Sequence, residues 1–399
     1  MTPSLTTPDA TALLGVYARV GPLFVAGEGS ELIAEDGTRY LDFVAGIAVN
    51  ALGYNHPVFR DAVHRALESG LVHVSNLYRT EPGARLAAEL TGRAFPSDGG
   101  GQGGQGGQAF FCNSGAEANE GAFKFARKWS QKTEIVAFSG SFHGRLFASL
   151  AATDRPDYRR PFEPLLAGVH IIPLGDEDAA SRAITAERTA AVIIEPLQGE
   201  GGVRCVADEF LVFLRKRCNE TATALIFDEV QCGLGRTGTV FAAEQSGVVP
   251  DIYTLAKPLC GGLPMGAVLV NDGIAAALAP GDHATTFGGG PFVASVALDV
   301  LRTITEPDFL AEVRSKGEWF GRRLSRLVAG SARVREARGR GLMWGLELND
   351  VAAPVVAAAR ERHLLVLTAG PTVIRIVPPL TISRDELERG ATILAEVLA

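Results

Sequence analysis

Cysteine is scarce and irregularly placed: five residues in 399, at Cys112, Cys205, Cys218, Cys232 and Cys260. None forms a C-x-x-C pair, so the sequence offers neither a disulfide framework nor a zinc site and suits reduced thiols in a cytoplasmic protein. Each reads as small buried filler. Positive charge is not in excess. The 38 Lys and Arg residues face 45 Asp and Glu, a net charge of -7, which disfavours nonspecific nucleic-acid or anionic-membrane binding. A local positive pocket for an anionic substrate stays open. There is no DNA-binding motif, no solenoid repeat and no apolar run of membrane-spanning length. The first residues lack a basic segment followed by an apolar one, so no signal peptide is expected. Hydrophobic residues make up 47% and charged residues 21%, enough for a large core in two domains.

Residues 28–49 read as strand, turn, strand about Glu35-Asp36-Gly37. Helical periodicity covers 58–69 and 81–91. Residues 99–108 are all glycine or glutamine and read as a flexible surface insertion without chemistry. From 109 to about 270, apolar runs alternate with helical stretches. The runs are 109–111, 135–138, 169–172, 191–194, 224–227, 252–255 and 267–270. Such runs suit strands covered on both faces, so the expected fold is α/β with a largely parallel sheet. After Pro291 come helical stretches at 291–303 and 309–328, then strands at 342–348, 364–367 and 373–377. Ser383 and Glu386 form a capping-box pattern before the last helix. We expect a segment 1–55 joining a small α+β domain at 291–399, and a large α/β domain at 56–290.

Polar residues gather just after the apolar runs, where open α/β sheets bind ligands. Asn113-Ser114-Gly115-Ala116 leads a strand into a helix, a place for an anion on free backbone N–H groups; taken alone, a plain turn with Ser114 as N-cap is the more ordinary reading. Ser141-Phe142-His143-Gly144-Arg145 offers an aromatic for a flat ring and an arginine for a carboxylate, or only a core aromatic and a solvated arginine. His143 touches the ring or merely orients the loop. Glu195 and Glu200 lie in a glycine-rich segment past a buried strand, where charge is costly unless paired. Asp228 ends an apolar strand and can hold a pyridinium nitrogen; Gln231 follows it. Lys257 has apolar neighbours, so it can lose its proton cheaply and attack a carbonyl. A single lysine of this kind is ordinarily a snorkelling surface residue. Thr285 and Thr286 lie in a polar, glycine-rich joint, and Arg375 sits on an apolar strand and wants an anionic partner.

Taken in order, the stretches at 113–120, 142–145, 195–202, 228–238, Lys257 and 285–291 resemble the class III (ω-amino acid) pyridoxal-phosphate aminotransferases along nearly the whole chain. The resemblance implies fold type I and a homodimer with shared active sites. It implies pyridoxal 5′-phosphate held by Lys257 as a Schiff base, with Asp228 at the ring nitrogen. Ser114, Gly115 and Ala116 would meet the phosphate, with Thr286 from the neighbouring subunit. Phe142 and His143 would lie at the ring and Gln231 at its phenolic oxygen, with Glu195 in support. Arg145, Thr285 and Arg375 would bind substrate, with Glu200 as the removable partner of Arg375. The substrates implied are an amino donor, first N-acetylornithine, and 2-oxoglutarate. Ornithine, succinylornithine, γ-aminobutyrate and carrier-linked aminoadipate semialdehyde are rival substrates of the same chemistry. An aminomutase or a non-catalytic cofactor-binding protein fits less well with two substrate arginines. Asn76 is a candidate for the distal end of the substrate. The chain departs from the family's usual pattern at Gly290, Leu146, Pro258 and Tyr54, none of them a catalytic group.

Overall fold

The computed structural model describes residues 13–96 and 106–399. Its centre is a seven-stranded sheet in the order β4-β12-β11-β10-β7-β5-β6. The strands are β4 (Gln108–Cys112), β5 (Glu134–Phe138), β6 (Val169–Ile172), β7 (Thr189–Ile194), β10 (Ala224–Asp228), β11 (Ile252–Leu255) and β12 (Gly266–Val270). Only β12 runs antiparallel to its neighbours β11 and β4. The others are parallel, as the unbroken apolar runs led us to expect.

Every residue of β7 and β10 is buried. Helices cover both faces, which is why these strands carry no polar alternation. The helix Gly115–Ser130 lies over β12, β11, β10 and β7, and the helix Glu81–Ala94 touches β4 and β12. Burying one Ile or Leu side chain contributes about 1.5–3 kcal/mol. Ile193, Ile226 and Ile252 are fully buried on three adjacent strands and pack in one cluster. Truncating any of them to alanine leaves a cavity that costs roughly 2–5 kcal/mol.

Two smaller sheets flank this layer. β1 (Phe24–Glu28), β2 (Glu31–Ala34) and β3 (Arg39–Asp42) take β15 (Leu364–Leu365) as a fourth strand. β13 (Val334–Arg340), β14 (Met343–Leu348), β17 (Val373–Ile376) and β16 (Leu367–Thr368) form the other sheet. A two-stranded ladder joins β8 (Leu197–Gln198) to β9 (Arg204–Cys205). The apolar run expected as one strand at 364–367 is therefore two. The chain crosses from one sheet to another at Val366, and β1 and β13 are additions to the expected set. The last helix, Arg384–Val397, has its capping box: Ser383 accepts from the Glu386 amide and Glu386 accepts from the Ser383 amide. Most of the glycine–glutamine stretch, up to Gln105, lies outside the described residues.

Candidate active site

The parallel strands end on one side of the sheet, and the polar segments after them meet there. A cavity of about 410 Å³ is lined by residues following β4, β5, β7, β10 and β11 and preceding β12. Among them are Ser114, Gly115, Ala116, Asn119, Phe142, His143, Arg145, Glu195, Asp228, Gln231 and Lys257.

Asp228 is 3% exposed and held by three donors. Its Oδ2 accepts from Asn119 Nδ2 at 2.8 Å and lies 2.8 Å from His143 Nδ1. Its Oδ1 accepts from the Val230 amide at 3.1 Å. His143 therefore lies against the aspartate and also lines the cavity. Asn119 Nδ2 also donates to the His143 carbonyl at 2.7 Å.

Glu195 is buried and forms no salt bridge among the described residues. Its Oε1 accepts from the Phe142 amide at 2.9 Å and its Oε2 from the Gly199 amide at 3.1 Å. Burial pushes its carboxyl up to about 7, with Asp228 adding to the rise and His143 and the two amides opposing it. It ties the loop bearing Phe142 to the segment bearing Glu200.

Lys257 opens a short 3₁₀ turn, Lys257–Cys260, with φ at +38°. That left-handed backbone costs a non-glycine residue on the order of 1 kcal/mol. Pro258 fits the turn, since its missing N–H and fixed φ suit the first positions of a helix. Burial holds the Lys257 ammonium down to about 8. Arg375 adds to the drop, while Glu200, Asp228 and Glu195 oppose it.

Ser114 caps the helix Gly115–Ser130, accepting from the Glu117 amide at 3.2 Å. The first intrahelical bond runs from the Ala118 amide to the Ser114 carbonyl, so the Gly115 and Ala116 amides precede the ladder and are offered outward. A Cβ at Gly115 would come within 2.6 Å of Val230. Gly144, at φ +137°, lets its backbone lie against Ala116.

Arg375 on β17 is 2% exposed. Its Nη1 pairs with Glu200 and donates to Gln231 Oε1 at 3.2 Å. Its buried Nε has no partner. Gln231 lines the cavity; Glu200 and Arg375 are not among the lining residues. Arg145 is exposed, with its guanidinium carbon 3.6 Å from the centre of the Tyr158 ring and 5.7 Å from that of Phe142. Thr285 and Thr286 are outside the cavity lining. Thr285 Oγ1 accepts from Asn113 Nδ2 at 3.3 Å, and Thr286 is exposed. Asn76 is also outside it, and its Nδ2 donates to the Thr285 and Gly288 carbonyls at 3.1 Å each.

The family Aminotransferase class-III matches residues 18–398. The mitochondrial acetylornithine aminotransferase of Alnus glutinosa is 48% identical over 97% of this chain and 85% of its own. Of solved structures, the N-acetylornithine aminotransferase of Stenotrophomonas maltophilia is similar, with a TM-score of 0.81 and 34% identity over 96% of each chain. An ornithine aminotransferase of Toxoplasma gondii, with partial occupancy of PLP at its active site, has a TM-score of 0.90 and 28% identity over 98% of this chain and 92% of its own. The chain belongs to the class-III aminotransferases.

As a class-III aminotransferase it has the fold type I architecture that the resemblance implied. Of the departures from the usual family residues, Tyr54, Leu146, Pro258 and Gly290 are all outside the cavity lining. Tyr54 donates to Asp42 Oδ2 at 2.6 Å; Oδ2 also accepts from the Ala45 amide, and Oδ1 accepts from the Val44 amide. Leu146 is 45% exposed. Two contacts were missed in the sequence. Asn119 sits four residues after Gly115, an amide in a mostly small and apolar helix, and that spacing was a usable signal. Tyr158 lies 13 residues beyond Arg145, and no periodicity links them. Four cysteines are buried as expected, and Cys205 is exposed on β9.

Proposed function

We propose that this aminotransferase moves the distal amino group of N-acetylornithine to 2-oxoglutarate, with pyridoxal 5′-phosphate as cofactor. The products are N-acetylglutamate 5-semialdehyde and glutamate, in arginine biosynthesis. The observation that carries the reading is Lys257, held down to about 8 in a cavity that also contains the triply hydrogen-bonded Asp228. Burial and Arg375 favour the neutral, nucleophilic form of this lysine more than water favours that of an ordinary one. The 48% identity to an enzyme named for acetylornithine supports that donor over ornithine, named for a neighbour at 28%.

The residues present fit the cofactor. The cavity is about 410 Å³, the helix start has free amides, and His143 Nε2 and Asn119 Oδ1 are buried without partners. Gly115 and Ala116, with Ser114, would take the phosphate. Phe142 would pack on the ring, Gln231 would meet the phenolic oxygen, and Asp228 would hold the ring nitrogen. When bound, pyridoxal phosphate supplies a protonated ring that takes up the electron pair left by a departing proton. Lys257 would hold the group through its side-chain nitrogen and, once freed, would take the proton from the amine-bearing carbon. Arg145 holds the donor's carboxylate far from the reacting amine. Arg375 takes the α-carboxylate of glutamate once Glu200 moves aside, so one pocket serves both half-reactions.

We read the enzyme as a cytoplasmic homodimer. The free cysteines support the compartment. Among the described residues, no helix is long and apolar enough to cross a membrane. Leu77, Tyr78 and Phe287 are 90%, 70% and 66% exposed. A cluster of that kind favours a second subunit, towards whose cofactor Thr286 would reach. The deciding assay sets 2-oxoglutarate against N-acetylornithine, N-succinylornithine, ornithine and γ-aminobutyrate. N-acetylornithine should lead in kcat/KM by about tenfold or more. A lead for any other amine contradicts the substrate.

A further inference from the structure

Asn119 touches three parts of the site at once. It belongs to the helix whose first amides form the anion seat. It donates to Asp228 Oδ2 at the end of β10 at 2.8 Å, and to the carbonyl of His143, next to Phe142, at 2.7 Å. It is 1% exposed. Both hydrogens of its amide are used, and both partners only accept. Turning the amide over would set Oδ1 against a carboxylate and a carbonyl, so the partners fix its orientation.

Position matters as much as bonding. Asn119 lies four residues after Gly115, on the same helix face and about 6 Å further along the axis. A ligand that puts its phosphate on the Gly115 and Ala116 amides and its ring nitrogen on Asp228 spans two separate elements. Asn119 bonds one of them directly to the other. His143 also holds Asp228 Oδ2, but it stands on the loop after β5 and has no share in the helix. The Val230 amide holds Oδ1 from Asp228's own segment.

We propose that Asn119 is a positioning residue for the cofactor. It sets the span between the phosphate seat and the ring-nitrogen carboxylate, and it holds the Asp228 carboxyl in place through a donor that does not titrate. The inference rests on the pyridoxal-phosphate reading above. A side chain that only filled space would stabilise protein with and without cofactor alike. A positioning side chain acts on cofactor affinity and on the protonation of the bound ring.

The test uses Asn119→Leu and the wild type, both stripped of cofactor and titrated with pyridoxal 5′-phosphate by fluorescence. Absorbance of the bound cofactor is then followed against pH. We expect at least a tenfold loss of affinity in the variant, a smaller rise of Tm on adding cofactor, and a displaced absorbance midpoint. If Asn119→Leu does not fold, Asn119→Ala leaves room for water and is read in the same way. Asn119→Asp adds a direction: relative to wild type, its affinity should recover as pH falls, because a protonated carboxyl can donate to Asp228. Equal affinity and equal absorbance midpoints in wild type and variant, with Tm lowered alike with and without cofactor, overturn the proposal. Failure of the wild type to bind the cofactor overturns the underlying reading instead, and the proposal with it.

Discussion

Asp228 and Glu200 are held in opposite ways. Asp228 has three donors on three separate segments and is 3% exposed. The Glu200 side chain keeps 26% of its surface in solvent, and its charge partner is one side chain, Arg375. Releasing Asp228 means breaking several bonds in a dry environment, which is expensive. Releasing Glu200 breaks one pair whose carboxylate already meets water. The difference separates a carboxylate tied down on all sides from one that has a single charge partner and an open side. Arg375 keeps a second partner in Gln231 and a buried Nε with none, so it has donors to spare for an incoming carboxylate.

The largest effect should come from the covalent anchor. Lys257→Ala should abolish transamination of N-acetylornithine, measured as glutamate formed from 2-oxoglutarate; turnover at the wild-type rate would remove its role. Next is the fixed carboxylate. Asp228→Asn should lower kcat on the order of 10²–10³-fold, since it removes preorganised charge at the ring nitrogen. The movable carboxylate should behave otherwise. Glu200→Ala should leave kcat for the half-reaction with glutamate within about threefold, yet shift the ratio of kcat/KM between N-acetylornithine and glutamate by about tenfold. An unchanged ratio would make Glu200 as static as Asp228 and erase the contrast.

The last effects are on stability and concern two other buried carboxyls. Burial pushes Glu195 up to about 7 and Glu229 up to about 8, from an ordinary 4.5. Glu229 accepts from the amides of Ala242 and Ala243 at 2.7 and 2.8 Å, which pull the other way. A raised carboxyl keeps its proton in the folded state after the unfolded chain has lost it. Stability therefore falls as pH rises, from about 4.5 to about 7 for Glu195 and to about 8 for Glu229. Glu195→Gln should remove about 3 kcal/mol and Glu229→Gln about 5 kcal/mol of that pH-dependent change across their windows, read from denaturant unfolding of cofactor-free protein. Both replacements also lose an acceptor oxygen, so the slope with pH is the measure, not the stability at one pH. A slope equal to wild type would mean the carboxyl stays ionised throughout.

The sheet was legible because central parallel strands bury both faces. The strands Val169–Ile172 and Ile252–Leu255 coincide with their apolar runs. β13 was not, because it reads Val-Arg-Glu-Ala-Arg-Gly-Arg and owes its place to pairing. Arg338 bonds Glu336 on its own strand and Glu347 on β14, and Arg335 also bonds Glu347. Such bonds join residues whose neighbourhood the chain's local pattern does not reveal. The split at Val366 has the same origin, since one apolar run served two sheets. At the site, the residues following strand ends were found from the order of runs. Asn119 and Tyr158 were not, because their roles depend on what crosses from another element.

The most direct measurement is chemical. The purified protein, saturated with pyridoxal 5′-phosphate, is reduced with borohydride, digested and mapped by mass spectrometry. The account predicts one pyridoxyl label, on the peptide containing Lys257. A label on another lysine, or none, contradicts it.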